Sequence, residues 1–468
     1  MKQQELLEKI VHSRCAVLGF GISNRPLVRF LLENGAVAIT VHDRKSVEEL
    51  GSAATEFAAR GVNFVTGEDY LEDVDADVIF RSPGIRDDKG GIPSALSRGA
   101  FLTSEMELFL ALTDARVLAV TGSDGKTTTT TLISEFLKKE YGDSRVYIGG
   151  NIGEPLLPHV REMTEKDFAV VELSSFQLKT MRQSPWRAVI TNVSPNHLDW
   201  HTGMEEYIAA KRNICAYPEN TLLVTNAGNA TTADIALHHV GNVTLFSARM
   251  SGFLPIAGRI GQRAIYEKDG TIFSDDGKEP EEILKTADIK LIGRHNVENY
   301  MAAIGATEGL VSRESIRAIA KTFGGVEHRL EFVREIDGVR YYNSSIDSSP
   351  TRTAAALSAL PQKPIVICGG YDKHIPFDGL GVTLCERAKA VVLTGATAPL
   401  IREAIEKTGL PEPTVVYESD FTAAVERSRR LAVAGDLVVL SPACASFDAF
   451  ANFEERGRKF KQIVNAME

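Results

Sequence analysis

Short apolar runs that end in a glycine or polar turn, separated by amphipathic stretches, recur from one end of the chain to the other. That alternation predicts β-strands followed by α-helices in mostly parallel sheets. The pattern clusters in three regions. The first holds Cys15-Ala-Val-Leu-Gly-Phe-Gly and Ala36-Val-Ala-Ile-Thr-Val-His-Asp. The second holds Val117-Leu-Ala-Val-Thr-Gly, Phe168-Ala-Val-Val-Glu-Leu and Ala188-Val-Ile-Thr-Asn. The third holds Pro364-Ile-Val-Ile-Cys-Gly-Gly, Ala390-Val-Val-Leu-Thr-Gly and Leu437-Val-Val-Leu-Ser-Pro. A chain of 468 residues exceeds what one hydrophobic core supports. The expected architecture is therefore α/β with three domains, at residues 1–105, 106–327 and 328–468.

Composition narrows the function classes. A net charge of -10 argues against a nucleic-acid binder, and 44% hydrophobic with 24% charged residues is ordinary for a soluble protein. The five cysteines are scattered without a C-x-x-C pair, which predicts neither a disulfide framework nor a zinc site. The opening M-K-Q-Q-E-L-L-E-K-I reads as a charged amphipathic helix rather than a signal peptide, and no apolar run is long enough to cross a bilayer. The expected setting is the cytoplasm.

The chemistry is concentrated in turns that follow strands. Ala119-Val-Thr-Gly-Ser-Asp-Gly-Lys-Thr carries Gly125-Lys126-Thr127 preceded by a glycine at 122, a shortened form of the G-x-x-x-x-G-K-[ST] phosphate loop. Leu132, Ile133, Phe136 and Leu137 then continue at helical spacing. Strand, loop and helix together place backbone N–H groups and a helix dipole against an anion. Lys126 would neutralise β/γ-phosphate charge and the Thr127 hydroxyl would reach Mg²⁺, with Gly122, Ser123, Asp124, Gly125 and Thr128 completing the cradle. Asp124 is out of place beside phosphates unless its side chain turns away or caps the helix. Glu172, ending F-A-V-V-E, is positioned for Mg²⁺ or simply for solvent. His197 and His201 have zinc-ligand spacing, but without the H-E-x-x-H pattern they do not predict a zinc site. Lys211 lies on a helical stretch where a solvated lysine is equally suitable. In the first region, Gly19-x-Gly21-x-x-Asn24 with Asp43 suits either a diphosphate-binding turn or a plain tight turn.

Taken together, T-G-S-D-G-K-T-T, G-G-N-I-G, V-E-L-S-S-F-Q-L, T-N-V-S-P-N-H-L-D-W-H and A-A-K resemble the central domain of the Mur ligases. G-R-H-N-V-E-N-Y-M-A-A, V-E-H-R-L-E and L-S-P-A-C-A-S-F-D-A-F-A-N-F-E-E-R-G extend the resemblance through the third domain. S-S-F-Q-L and S-P-A-C-A-S-F-D look most like the D-glutamate-adding branch, and in this family the shortened loop is the normal form. The resemblance implies a Rossmann-like domain that binds UDP, then a central phosphate-loop domain that binds ATP. It also implies a Rossmann-like C-terminal domain that takes the incoming amino acid and closes the ATP site. The implied reaction is ATP-dependent addition of D-glutamate to UDP-N-acetylmuramoyl-L-alanine through an acyl phosphate and a tetrahedral intermediate. It requires Mg²⁺, as two ions, and only small-molecule partners, in a monomer with no nucleic acid or membrane.

By the same resemblance Lys126, Glu172, His197 and a carbamylated Lys211 serve catalysis, and Thr127, Glu172, His197 and Lys211 hold metal. Asn296 and Asn299 match adenine-side contacts and Arg329 a phosphate contact. Ser23, Asp43, Arg44, Ser82, Gly84, Asn151 and His197 match the UDP-substrate site, while Lys373, Ser446, Phe447 and Phe453 match the D-glutamate pocket. The chain departs from the family at Asn343-Ser-Ser-Ile-Asp, where Ser344 stands for an acid and Ile346 for a lysine, with Asp347 or Arg352 available to compensate. Asp124, where Asn is common, is a milder departure. Other readings are another amide ligase of the superfamily, such as a folylpolyglutamate synthetase, and a nucleotide-gated binding protein. A D-N-P-R motif of diaminopimelate-adding enzymes is absent.

Overall fold

A computed structural model of the chain describes residues 3–198, 200–217, 221–250, 252, 262–291, 293–373 and 375–467. The described residues form an α/β protein built on three sheets. The chain divides into two compact units, Met1–Thr286 with Val297–Ile319 and Ala287–Asn296 with Ala320–Glu468. The first unit carries two of the sheets and the second carries the third.

The N-terminal sheet comprises β1 (Arg14–Leu18), β2 (Ala38–Asp43), β3 (Asn63–Thr66), β4 (Val78–Arg81) and β5 (Phe101–Thr103). All pair in parallel in the order β3-β2-β1-β4-β5. The order reverses between β1 and β4, so the turns leaving these two strands open a crevice at the carboxyl edge, where ligands bind in doubly wound sheets. The central sheet comprises β6 (Arg116–Thr121), β7 (Val146–Gly150), β8 (Phe168–Glu172), β9 (Arg187–Ile190), β10 (Leu222–Asn226), β11 (Val243–Ser247), β12 (Arg263–Lys268), β13 (Thr271–Asp275) and β14 (Glu281–Lys285). Its order is β14-β13-β12-β11-β10-β9-β6-β8-β7. Only the β12-β13-β14 ribbon is antiparallel. Here β6 lies between β8 and β9, so the turns after all three strands meet at one edge.

The apolar runs become strands buried on both faces, as in β4, β8 and the runs 365–368, 390–393 and 437–440. Every residue of β8 is buried, Glu172 included. The helix Lys126–Tyr141 lays Leu132, Ile133, Phe136 and Leu137 against the sheet, the positions read at helical spacing. The third sheet comprises β15 (Glu331–Ile336), β16 (Val339–Asn343), β17 (Ile365–Cys368), β18 (Ala390–Leu393), β19 (Thr414–Tyr417) and β20 (Leu437–Leu440), in the order β15-β16-β20-β17-β18-β19. Only β15 runs antiparallel to its neighbour.

Within the first unit, the two sheets are joined through Arg81, which ends β4 and is 1% exposed. Its guanidinium donates to the carbonyls of Pro83 (3.1 Å) and Ile85 (2.6 Å) on its own turn, and to the Phe176 carbonyl (2.7 Å) and the Thr180 hydroxyl (3.1 Å) of the central domain. Because no carboxylate among the described residues is bonded to it, carbonyl dipoles must replace the lost hydration. Arg81→Met keeps the apolar stem but strands these acceptors. We expect it to lower the free energy of the first urea-unfolding transition by roughly 3 kcal/mol. A loss under about 1 kcal/mol would mean that the acceptors find other donors.

Candidate functional site

The turn between β6 and the helix Lys126–Tyr141 takes its shape from two glycines. Gly122 has φ +152° and Gly125 has φ +79°, conformations that side chains rarely adopt. Space forbids side chains there as well: a Cβ at Gly122 would strike the Thr191 hydroxyl, and one at Gly125 the Asn299 amide. The loop is clamped to the residues that follow β9. The Ser123 N–H donates to the Asn192 carbonyl (2.9 Å) and the Asp124 N–H to Asn192 Oδ1 (3.0 Å), while Thr191 Oγ1 donates to the Asp124 carbonyl (2.6 Å). The Ser123 hydroxyl bonds Tyr207 Oη and the Ser194 backbone, each at 2.9 Å. Asp124 is exposed while its backbone is held. Lys126 Nζ folds back on its own loop, donating to the carbonyls of Gly122 and Ser123 at 3.0 Å each.

At the end of β8 the buried Glu172 carboxylate faces the loop. Oε2 accepts from the Thr127 hydroxyl (2.7 Å) and Oε1 from the Asn151 amide (2.8 Å). Asn151 is held in turn by its own N–H to the Glu172 carbonyl (2.8 Å), an approach that requires the bare Gly150. Lys211, 1% exposed on the helix Met204–Arg212, donates to the Gly122 carbonyl (2.7 Å) and lies 4.5 Å from the Tyr207 ring centroid. Burial, reinforced by the nearby Lys126 charge, lowers its ammonium to about 7.

The loop, Glu172, Asn151 and Lys211 thus come together, and Asn299 joins them through Gly125 and through Thr129 Oγ1 (3.3 Å). His197 takes the left-handed conformation (φ +54°) on the following turn, with its ring edge against Phe176. His201, by contrast, is buried in an aromatic enclosure of Phe176, Trp200 and Tyr207, with Nε2 2.9 Å from the Ser175 hydroxyl. Burial lowers its pKa and favours the neutral ring. Among the described residues, no group of three or more His, Cys, Asp or Glu is arranged to hold a metal.

At the N-terminal crevice, Gly19 (φ +83°) leads to Ser23, and a side chain at Gly19 would crowd Ser82 on the turn after β4. Asp43 caps the crevice by accepting from the N–H groups of Phe20 (2.7 Å) and Lys45 (3.0 Å). Arg44 extends to Glu68 at 2.7 Å, an exposed pair. The Gly84 carbonyl accepts from Trp200 Nε1 (3.2 Å), tying this turn to the one that bears His197.

In the second unit, the turns after β16, β17 and β20 converge. Ser446 is buried, whereas Lys373 and Phe447 are exposed, with the Phe447 ring 5.9 Å from that of Tyr371. Phe453 opens the helix Phe453–Ala466 and its carbonyl accepts from Ser345 Oγ (2.8 Å). Asn296 lies in the first turn of the helix Arg294–Thr307, and Arg329 is exposed just after the buried His328. Ser344 and Asp347 are both buried. Asp347 accepts from Ser441 Oγ (2.8 Å), and burial raises its carboxyl to about 6.

Several contributors were not anticipated from sequence. Thr191, Asn192, Ser194 and Tyr207 shape the loop from distant positions, and their roles depend on β9 lying beside β6. Arg456, 2% exposed, organises the second unit by donating to Ser345 Oγ (3.0 Å) and to the carbonyls of Ser345 (2.9 Å), Cys444 (3.1 Å) and Ala445 (3.1 Å). In sequence it is one charge among several in E-E-R-G-R-K.

Residues 120–307 match the Mur ligase middle domain, and residues 328–444 match the Mur ligase glutamate ligase domain. The chain is 49% identical over 459 residues to the UDP-N-acetylmuramoylalanine--D-glutamate ligase of Clostridium kluyveri, covering 97% of each chain. It is 45% identical to the enzyme of that name from Acetivibrio thermocellus, covering 100% of this chain and 99% of the relative. A solved UDP-N-acetylmuramoyl-L-alanyl-D-glutamate--2,6-diaminopimelate ligase shares the fold, with TM-score 0.55 and 17% identity over 98% of this chain and 94% of that one. The UDP-N-acetylmuramate-alanine ligase of Thermotoga maritima does so with TM-score 0.50 and 18% identity, over 98% of this chain and 100% of that one. With a shortened phosphate loop clamped beside a buried carboxylate and a buried lysine, and with these relatives along its whole length, the chain belongs to the Mur ligase family.

Proposed function

We infer that the protein is an ATP-dependent ligase that joins the amine of D-glutamate to the alanyl carboxylate of UDP-N-acetylmuramoyl-L-alanine, releasing ADP and phosphate. It does so in the cytoplasm, as a monomer, in peptidoglycan precursor synthesis. One observation carries the reading: the Gly122–Thr128 loop, Glu172 and Lys211 meet at the carboxyl edge of β6 and β8 in a chain 49% identical to a ligase of that name. A carboxylate is a poor electrophile until one of its oxygens carries a leaving group. The substrate carboxylate attacks the γ-phosphorus and ADP departs. The D-glutamate nitrogen then adds to the acyl phosphate, and the tetrahedral adduct expels phosphate and loses a proton to give the amide.

In this reading Gly122, Ser123, Asp124, Gly125 and Thr128 cradle the phosphates, Lys126 offsets their charge, Asn296 and Asn299 face the adenine side and Arg329 a phosphate. Ser23, Asp43, Arg44, Ser82, Gly84, Asn151 and His197 hold the UDP substrate. Lys373, Ser446, Phe447 and Phe453 hold D-glutamate, where an ammonium beside hydroxyl and backbone donors suits a dicarboxylate. Domain boundaries near 105 and 327 separate these roles. The donor set fits Mg²⁺: Glu172 is a buried carboxylate whose hydrogen bonds come from the neutral Thr127 hydroxyl and Asn151 amide, so its charge is available to a hard cation. Thr127 and Glu172 would hold one ion, and His197 with Lys211 a second. When bound, the ions offset the negative charge that gathers during phosphoryl transfer. Lys211 suits the second ion only as an anion. Its burial favours the neutral amine, whose lone pair adds to CO₂ with loss of a proton to give a carbamate.

The direct test is an amino-acid panel with ATP and UDP-N-acetylmuramoyl-L-alanine, scored by phosphate release. D-Glutamate should be the preferred donor by a wide margin, and preference for another amino acid would reject this assignment while leaving the ligase chemistry intact. Lys211→Ala should lower turnover at least about a hundredfold, with no recovery in bicarbonate. Near-normal turnover would remove the carbamate from the mechanism. Lys211 also predicts a pH effect on stability. With its folded value near 7 against 10.5 ordinarily, the unfolded chain binds more protons between those values, so stability rises with pH across that window. Lys211→Met should therefore raise the melting temperature most at pH 6, with the gain shrinking toward pH 10. A gain independent of pH would contradict the buried-ammonium account.

A further inference from the structure

Away from these turns, the first unit contains a cavity of about 460 Å³ between the helices Asn24–Glu33 and Ser52–Ala59 and the turn Leu157–His159. Its floor is apolar: Phe57 is 1% and Phe30 6% exposed, and Ala53 joins them. Its rim carries Arg25, Arg29 and Arg161 in a chain that is acidic overall. The guanidiniums of Arg25 and Arg29 stand over the rings of Phe20 and Phe57, at 5.3 and 5.6 Å from the centroids. Arg29 has a carboxylate partner, Glu56 at 3.7 Å. Arg25 and Arg161 form no ion pair among the described residues. Arg25 donates to the carbonyls of Phe20 (3.1 Å) and Leu50 (3.4 Å), and Arg161 donates to Asn34 Oδ1. Carbonyl and amide oxygens orient a guanidinium without neutralising it. The one acid of the lining, Glu33, is likewise without an ion pair among the described residues; with Arg29 set against Glu56, the charges of Arg25, Arg161 and Glu33 leave the rim a net single positive charge.

We propose that this cavity is a second ligand site, separate from the nucleotide turns, for a small monoanion with a flat apolar body, such as an aryl sulfonate or aryl carboxylate. The body would lie on Phe30, Phe57 and Ala53, with the head between Arg25 and Arg161. The volume falls within the range of small-molecule sites, and guanidiniums held over aromatic rings are suited to an anionic head beside an aromatic body. Arg25 also bonds the Phe20 carbonyl of the Gly19–Asn24 turn, so one side chain serves both the cavity rim and the N-terminal crevice.

The test uses two dyes that differ in charge, 1-anilinonaphthalene-8-sulfonate and its uncharged parent N-phenyl-1-naphthylamine. Their fluorescence is titrated against the full chain with ATP and UDP present in excess to fill the nucleotide turns. The sulfonate should bind at one site and more tightly than the parent. Arg25→Gln with Arg161→Gln should weaken the sulfonate about tenfold and leave the parent unchanged. Arg161→Gln alone gives a milder version of the same result should the double variant fold poorly. Ala53→Phe, which fills the floor, should abolish binding of both dyes without altering the arginines. Equal affinity for the two dyes, or sulfonate binding that survives both the arginine and Ala53 substitutions, overturns the proposal. Because no turnover is measured, the result does not depend on the ligase assignment.

Discussion

The phosphate loop depends on an absence, the missing side chain at Gly122, into whose place the Thr191 hydroxyl closes. That contact brings the end of β9 against the turn leaving β6, and from it Thr191 and Asn192 fix the backbone of Ser123 and Asp124. The Gly122 carbonyl, turned by the same conformation, is the acceptor for both Lys126 and Lys211. A methyl group at this position would therefore disturb the loop, its clamp and both lysines together. The sheet order makes the arrangement possible, since β6 has β8 on one side and β9 on the other.

Three buried cations show different solutions to one electrostatic problem. Arg81 and Arg456 each spread their charge over several carbonyl and hydroxyl oxygens, which a planar guanidinium with five donors can do. Arg456 still feels its burial and is lowered to about 10. Lys211 has a point charge, a single close carbonyl and the Lys126 charge nearby, and its ammonium falls to about 7. The arginines hold turns in place, while the lysine is left chemically poised, which agrees with its proposed conversion to an anion.

Much of the fold was legible in sequence because buried parallel strands leave unmistakable apolar runs, and because glycines must sit where the chain turns sharply. The strand, the glycine turn at Gly122 and Gly125, and the apolar face of the helix Lys126–Tyr141 could be read in that way. What could not be read was adjacency. That β9 lies beside β6 decides the roles of Thr191, Asn192 and Tyr207, and no local pattern encodes strand order. Burial was equally hidden. Lys211 reads as a surface lysine and Arg456 as part of a charged helix, and only packing shows that both are enclosed. His197 and His201 have similar surroundings in sequence, yet one lies on an exposed turn and the other inside an aromatic enclosure.

The folded-back Lys126 has a consequence for the reaction cycle. Its ammonium already has two carbonyl acceptors, so under the proposed function a phosphate arriving at the loop would exchange partners with it rather than supply its first. The net gain from that contact would be correspondingly small, and on departure of the nucleotide the carbonyls would receive the charge again without any need for it to be rehydrated. An enzyme that must release ADP after every bond it forms would benefit from such a lysine.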